Sequence, residues 1–414
     1  MFLNMIQDWA GWVLMLFSFG IVLMWKHVRS DTKVVNAIWF CLLLRHAVTL
    51  YNTYVSTVVG AGMDAVTMHK IGVAMAASEW DYGLGSGLIV YAHSLGFLYR
   101  AFGASFFFGD ELSVLAFTLS CVVLVKLVDL LDMRPFRVGI ILIFGLLPSA
   151  VIFMSVTLRE SWQALFFLLS VYWAIRLRKR PSVLIGSFLL MSAFCLSLLH
   201  NYLSRYVICF ILISIYWGIL GRKKGVRWAR HVRFLFAGLL VACLIILAQK
   251  MELLMTVEQI LELSKGFRYG AVTFANARTF YGEMLDTSSM FGFVTTIPIV
   301  FVQYMFTPFP WQVENVKDIY ALLESMLRFV LLFFAVYSWR RSSGEVRSYY
   351  SFLFIVVLGL ELMWALGTVN WGTAMRHHVP GYSVIVLLGA PGLILFMRKL
   401  QFGIFGRGKV SDIL

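Results

Sequence analysis

Gly60-Ala-Gly-Met-Asp64-Ala-Val-Thr-Met-His69-Lys70 is a short polar break directly after the second long apolar run of the chain. It sets a carboxylate, an imidazole and an ammonium at a boundary, in a sequence of 414 residues that is 60% hydrophobic and only 14% charged. Soluble domains are roughly half apolar and a quarter charged. Together with a mean hydropathy of +0.83, this composition predicts an all-α, polytopic membrane protein, and makes Asp64 a charge at the edge of a bilayer.

Working outward, a membrane-crossing helix needs about 20 mainly apolar residues. Eleven stretches meet that measure: 9–25, 34–57, 106–130, 138–156, 161–177, 183–199, 203–220, 234–250, 318–338, 349–367 and 381–397. Most of the 35 Lys and Arg residues then fall in alternate loops, in the groups Lys26 to Lys33, Lys126 to Arg137, Arg176 to Arg180, Arg222 to Arg233, Arg340 to Arg347 and Arg398 to Lys409. The positive-inside rule makes that face cytoplasmic, with the N-terminus outside and the C-terminus inside. The formal net charge of +14 is thus a matter of topology and no pointer to nucleic acid.

The same parity puts the Asp64 loop on the outer face. Residues 61–105 are too broken by Gly83, Gly85 and Gly87 to span, while Leu88 to Phe102 alternates like an interfacial helix. Residues 251–317 form the largest outer segment. Its apolar part, Met290 to Phe306, reads as re-entrant or interfacial, because counting it as a span would invert the charge rule for everything after it. Cys41, Cys121, Cys195, Cys209 and Cys243 all lie in apolar runs without CxxC spacing and read as buried thiols. The first apolar run lacks a basic n-region and a small-residue cleavage site, so no cleavable signal peptide is expected. The chain reads as one domain.

Charge inside a bilayer requires a partner or a task. Arg45-His46, in the middle of the second helix, reads either as a buried pair bonded to carbonyls or a neighbouring helix, or as a cavity lining. Glu324 and Arg328, spaced i, i+4, are expected to pair on one helix face; Glu361 reads as neutral or paired. On the outer face, Thr157-Leu-Arg159-Glu160 opens the fifth helix, where a first-turn carboxylate suits the helix dipole. His200-Asn-Tyr-Leu-Ser-Arg205 makes a tight turn. Arg268 and Arg278 lie in the large outer loop, where the charge rule disfavours them. Pro308-Phe-Pro-Trp311 reads as an interfacial anchor. Asn370-Trp-Gly-Thr-Ala-Met-Arg376-His377-His378 links the last two helices as a loop able to dip into a cavity, and Arg is the preferred bidentate partner of phosphate.

One early carboxylate facing several later arginines and histidines fits group transfer from a phosphate leaving group to a hydroxyl. The carboxylate serves as general base, and Arg and His neutralise the phosphate. A bilayer makes a lipid-linked phosphate the natural donor. A divalent cation is compatible but weakly signalled, since a hard cation wants clustered oxygens.

The layout resembles the GT-C superfamily of polytopic glycosyltransferases, with an acidic residue in the first large outer loop and an interfacial helix ending in Leu95-Gly-Phe-Leu-Tyr-Arg100-Ala-Phe-Gly103. More narrowly, Leu147-Pro-Ser149 leading to Thr157-Leu-Arg-Glu160, Pro308-Phe-Pro-Trp311 and Asn370 to His377 look like Wzy-type polymerases of polysaccharide repeat units, over roughly residues 40 to 390. The resemblance implies an inverting transfer at the periplasmic side of a bacterial inner membrane, from an undecaprenyl-phosphate or undecaprenyl-diphosphate sugar. It implies that Asp64 stands where the family has its catalytic acidic residue, and Arg376 where a basic residue contacts the lipid phosphate. Arg159, His200, Arg205, Arg268, Arg278, Asn370 and His377 are further candidates for substrate or phosphate binding, with His69, Lys70 and Trp311 secondary. The chain departs from metal-using relatives in that Asp64 is followed by Ala65, without an acidic pair or DxD; whether Asp64 or Glu160 is the base stays open. A single-sugar transferase and a flippase for lipid-linked oligosaccharide are the alternatives. Against the flippase stand the lack of internal repeats and paired broken helices and the gathering of polar groups on one face.

Overall fold

The computed structural model describes residues 8–58, 60–77, 87–220, 259, 262, 279–281, 285–286 and 289–405. The structure is 85% helical, with no strand among the described residues. In chain order the helices are α1 (Trp9–Met24), α2 (Thr32–Tyr54), α3 (Gly62–Ala76), α4 (Gly87–Phe102), α5 (Phe106–Leu130), α6 (Arg137–Leu146), α7 (Pro148–Phe153), α8 (Glu160–Lys179), α9 (Val183–Leu198), α10 (Asn201–Ile215), α11 (Met290–Phe306), α12 (Val316–Arg341), α13 (Gly344–Gly367) and α14 (Trp371–Phe405). Polar caps start several of them. Asp31 accepts from Lys33 N and Val34 N ahead of α2, Ser105 Oγ accepts from Phe108 N at α5, and Ser289 Oγ accepts from Gly292 N at α11.

Among the described residues five helices are long and apolar enough to cross a membrane: Thr32–Tyr54, Phe106–Leu130, Asp318–Arg341, Gly344–Gly367 and Trp371–Gln401. Trp9–Met24, Val183–Leu198 and Phe291–Phe306 are apolar but shorter. The protein is therefore an all-α membrane protein, but the eleven expected spans do not map one for one onto its helices. The stretch 138–156 is split at Leu147 by Pro148, which suits a first helical turn and cannot continue the helix before it. The stretch 234–250 lies outside the described residues.

Two expected loops are helices. Asp64 sits in the first turn of α3, since Gly60, at φ +86°, supplies the left-handed turn and the chain rewinds from Gly62. Residues Trp371 to Pro380, expected as a loop, form the first turns of α14. Asn370 Oδ1 accepts from Thr373 N at 2.8 Å and caps the helix start, and Pro380 and Pro391 are carried inside it. A proline within a bilayer helix is tolerated where neighbouring groups satisfy the freed carbonyl.

The core is built on α5 and α14. α5 packs against α1, α2 and α8, and α14 against α12, α8 and α13. Apolar side chains gain little by meeting each other instead of lipid, so close approach through small residues matters. At Gly392, an added Cβ would stand 3.1 Å from Phe334 O of α12. At Gly96 of α4 it would stand 3.1 Å from Ala76 N and from Gly72 O of α3. Outward faces stay apolar, with Phe40, Leu43, Leu184, Phe194, Phe329 and Phe333 exposed as lipid-facing side chains. α11 begins beside the end of α13, where Leu366 packs against the cluster of Leu285, Phe293 and Val300. It ends against the middle of α12, where Phe306 meets Phe329 with ring centroids 5.7 Å apart. The chain then returns through Pro308 and Trp311 to start α12.

The bundle interior holds more charge than the outer-face gathering expected from the sequence. Arg45 donates to Cys41 O at 3.1 Å and Gly145 O at 2.8 Å and lies 3.3 Å over the Phe117 ring. His46 bonds Glu111 Oε1 at 2.9 Å and Ser18 Oγ at 3.0 Å. The expected Glu324–Arg328 pair is not made directly: Tyr382 stands between, donating to Glu324 and accepting from Arg328 Nη1 at 2.9 Å, while Ser149 N and Oγ both donate to Glu324 at 2.7 Å. Glu361 is paired, with His378 Nδ1 at 2.6 Å and Tyr304 OH at 3.0 Å. Apart from Arg45 to Cys41, which lies within α2, these are bonds between helices that would be expensive to leave half made.

Candidate functional site

The segment between α7 and α8 is irregular, and one carboxylate fixes it. Asp110, on the second turn of α5, accepts from both Thr157 N and Thr157 Oγ1 at 2.6 Å, and from Asn52 Nδ2 at 2.8 Å. Thr157 is thereby tied to α5 and α2, and two residues later Arg159 and Glu160 emerge at the start of α8. A first-turn carboxylate sits favourably at the positive end of the helix.

Glu160 is 2% exposed, and its Oε1 accepts from Arg376 Nε at 2.7 Å. Arg159 Nε lies 3.8 Å from the same oxygen. Glu160 Oε2 is buried without a hydrogen-bond partner. The other side of the Arg376 guanidinium reaches Asp64 through Nη1. Thus Arg376 bridges a carboxylate 312 residues earlier and another 216 residues earlier in the chain. The two carboxylates differ sharply in access: the Asp64 side chain is 57% exposed, whereas Glu160 lies beneath the guanidinium.

Beside this cluster stand two imidazoles and an indole. His377 stacks on Trp364 with centroids 4.1 Å apart, and His200 meets Trp364 edge-on at 4.7 Å. His200 Nδ1 accepts from Tyr202 N at 3.2 Å as the N-cap of α10, so its Nε2 carries the proton. Burial, with Arg159 next in weight, pushes His200 down to about 3. His200 therefore offers an N–H donor at neutral pH and not the positive charge its type suggests. Burial likewise lowers Arg159.

The structure brings together Asp64, Arg159, Glu160, Arg376, His200 and His377. The other candidates among the described residues have different surroundings. His69 turns away from the cluster to bond Tyr99 OH at 2.8 Å and pack edge-on against Phe106, with burial holding it below the ordinary imidazole range. Lys70 is exposed. Arg205 lies 5.7 Å from the Tyr202 ring with Nε buried and unpartnered. Asn370 is a helix cap, and its segment pairs with residues 279–281 through Tyr281 N to Val369 O and Trp371 N to Thr279 O. Trp311 is 80% exposed and stacks on Phe309. Arg268 and Arg278 lie outside the described residues.

Asp110, Glu111 and Tyr91 are the residues that reading the sequence missed. Asp110 and Glu111 stand together near the start of α5, followed by no further charge until Lys126, a signal by itself. Buried Tyr91 lies within electrostatic reach of Glu160, Asp110 and Arg159. For a hard cation the donors do not fit: Asp64 and Glu160 are bridged by a guanidinium, and among the described residues no group of three His, Cys, Asp or Glu side chains is spaced to hold a metal ion. Compared with protein-family models, curated proteins and solved structures, the chain matches none.

Proposed function

We propose that the chain is an integral-membrane glycosyltransferase of GT-C-like architecture, with about eleven spans, an outside N-terminus and an inside C-terminus in a bacterial inner membrane. In this reading it works on the periplasmic face. It moves a glycosyl group from a polyprenyl-(di)phosphate donor to a hydroxyl of a glycan or lipid-linked acceptor, and its narrowest form is polymerisation of surface polysaccharide repeat units. The observation that carries it is Arg376 bridging one exposed and one buried carboxylate at the end of an apolar bundle.

The chemistry follows from the different access of the two acids. A donor phosphate displaces Asp64 from Arg376 and takes the guanidinium, with Arg159 behind it and the Nε2–H of His200 beside it. Asp64, freed from its counter-ion, accepts the proton of the acceptor hydroxyl as that oxygen bonds to the anomeric carbon. The bond from that carbon to the phosphate oxygen breaks, its electron pair leaves on the polyprenyl (di)phosphate, and the configuration inverts. Glu160 remains under Arg376 and holds it in place. The interior ionisable groups, bonded to one another across helices, support a scaffold more than a conduit, which favours the enzyme over the flippase.

The test is a gel of surface polysaccharide from a strain lacking its own copy and carrying the wild-type chain or Asp64→Asn. A polymerase predicts that Asp64→Asn, expressed and inserted normally, loses the long-chain ladder and keeps single repeats. An incomplete repeat unit would instead identify the single-sugar transferase. A near-normal ladder with Asp64→Asn would remove Asp64 as the base.

A further inference from the structure

At the end of the bundle opposite Asp64 there is a cleft of about 510 Å³ lined by His27, Lys126, Asp129, Tyr172, Arg176, Lys179 and Arg180. α8 joins the two places: from Glu160 to Arg176 the helix rises about 24 Å at 1.5 Å per residue. The cleft therefore lies across the apolar part of the bundle from the carboxylate cluster, and nothing in the proposed reaction uses it.

The charges in this cleft do not cancel. Its acid, Asp129, is already taken by Arg137, which donates Nε to it at 2.6 Å. Lys179 is held by the Leu130 carbonyl and by Asp132 at 3.8 Å. Among the described residues Lys126, Arg176 and Arg180 have no carboxylate within ion-pair distance. Lys126 Nζ sits 3.7 Å over the Trp25 ring, and Arg176 Nη1 donates to Tyr172 OH at 3.1 Å. His27 Nε2 is buried with no hydrogen-bond partner, and burial together with Lys126 lowers its affinity for a proton, so it contributes a hydrogen-bonding group without a further charge.

The surroundings indicate what kind of anion fits. Trp25 follows directly on the exposed apolar end of α1, where Leu23 and Met24 are exposed. Indole and tyrosine rings beside Lys and Arg mark the interface level of a bilayer, and basic pockets between spanning helices hold lipid head groups. A ligand with a phosphate head and an apolar tail satisfies both the cations and the adjoining apolar wall. We propose that the cleft formed by α5, α8 and the short helix Lys26–Arg29 that follows α1 is a binding site for the head group of an anionic phospholipid.

The test uses the purified full chain in an uncharged detergent, with dioleoyl phosphatidylglycerol, dioleoyl phosphatidylcholine and inorganic pyrophosphate as probes, read by native mass spectrometry and by thermal shift. Phosphatidylglycerol should be retained and should raise the melting temperature, and phosphatidylcholine should do neither. The pair Arg176→Ala/Arg180→Ala should weaken retention roughly thirtyfold, from the contribution of two basic residues near a lipid surface, and Lys126→Gln should weaken it about fivefold by the same measure. The pair Arg340→Ala/Arg341→Ala, at the end of α12 outside the cleft, should retain the lipid as the wild type does. Equal retention of phosphatidylcholine, equal stabilisation by pyrophosphate alone, or equal loss in the α12 pair would each overturn the proposal. If Arg176→Ala/Arg180→Ala melts early without lipid, Lys126→Gln decides alone.

Discussion

Replacing Arg376 by Ala separates what holds the site together from what reacts in it. Glu160 is 2% exposed and already has one oxygen without a partner. Removing Arg376 takes the 2.7 Å bond from the other oxygen and leaves only Arg159 at 3.8 Å. Breaking a buried pair by deleting one partner costs about 3–5 kcal/mol; the residual attraction of Arg159 puts the expected loss near the lower end, about 3 kcal/mol. Asp64→Asn breaks the other half of the bridge, but that carboxylate is more than half exposed, and exposed ion pairs contribute only about 0–1 kcal/mol. The double change Glu160→Gln/Arg376→Gln should recover most of the loss, since no charge is left buried alone. Equilibrium unfolding of the purified protein by SDS titration, followed by tryptophan fluorescence, measures all three. If Arg376→Ala unfolds no more readily than Asp64→Asn, or if the double variant is no better than the single, the Glu160–Arg376 pair is not what anchors the start of α8 to α14.

Asp110→Asn should destabilise by about 1–3 kcal/mol, because its amide oxygen can keep both Thr157 donors but its NH2 then faces the Asn52 Nδ2 donor, whose own oxygen is held by Val58 N; transfer activity should fall more than tenfold as Arg159 and Glu160 shift, measured on membranes at constant protein. Gly96→Val sets a side chain against α3 at Ala76 N and should displace Asp64, so that activity is lost while SDS resistance of the bundle changes little. For His200, the folded value of about 3 lies below the ordinary imidazole value near 6.5. Its stabilising contribution is therefore present above pH ~6.5 and is lost as pH falls toward 3, with a slope of at most about 1.4 kcal/mol per pH unit; His200→Gln should flatten the stability profile between pH 6.5 and 5.

The helical class was legible because apolar runs of spanning length leave little choice, and 106–130 coincides with α5 to the residue. Boundaries failed where a polar or proline residue was taken for a break. A proline such as Pro380 marks a loop end in sequence, yet Asn370 caps a helix ten residues earlier and the bundle carries the proline inside. The Asp64 helix is hard to read because its buried face is a narrow stripe of small and flexible side chains, Ala65, Met68 and Met75, while Met63 and Val73 stay exposed. The meeting of Asp64 with Arg376 could be suspected from parity but not located, because no local pattern encodes a contact across 312 residues. Asp110 was passed over because its partner, Thr157, lies on another segment.

The spacing of that meeting along the chain also orders the protein's biogenesis. Glu160 is made 216 residues before the arginine that balances it, and at about 5–20 residues per second it waits roughly 10–40 s. Throughout that interval the start of α8 carries a carboxylate whose place between helices is incomplete, and α3 has nothing to dock its acidic end upon. A chain stalled before α14 thus keeps a carboxylate at the start of α8 without the guanidinium that balances it in the finished bundle.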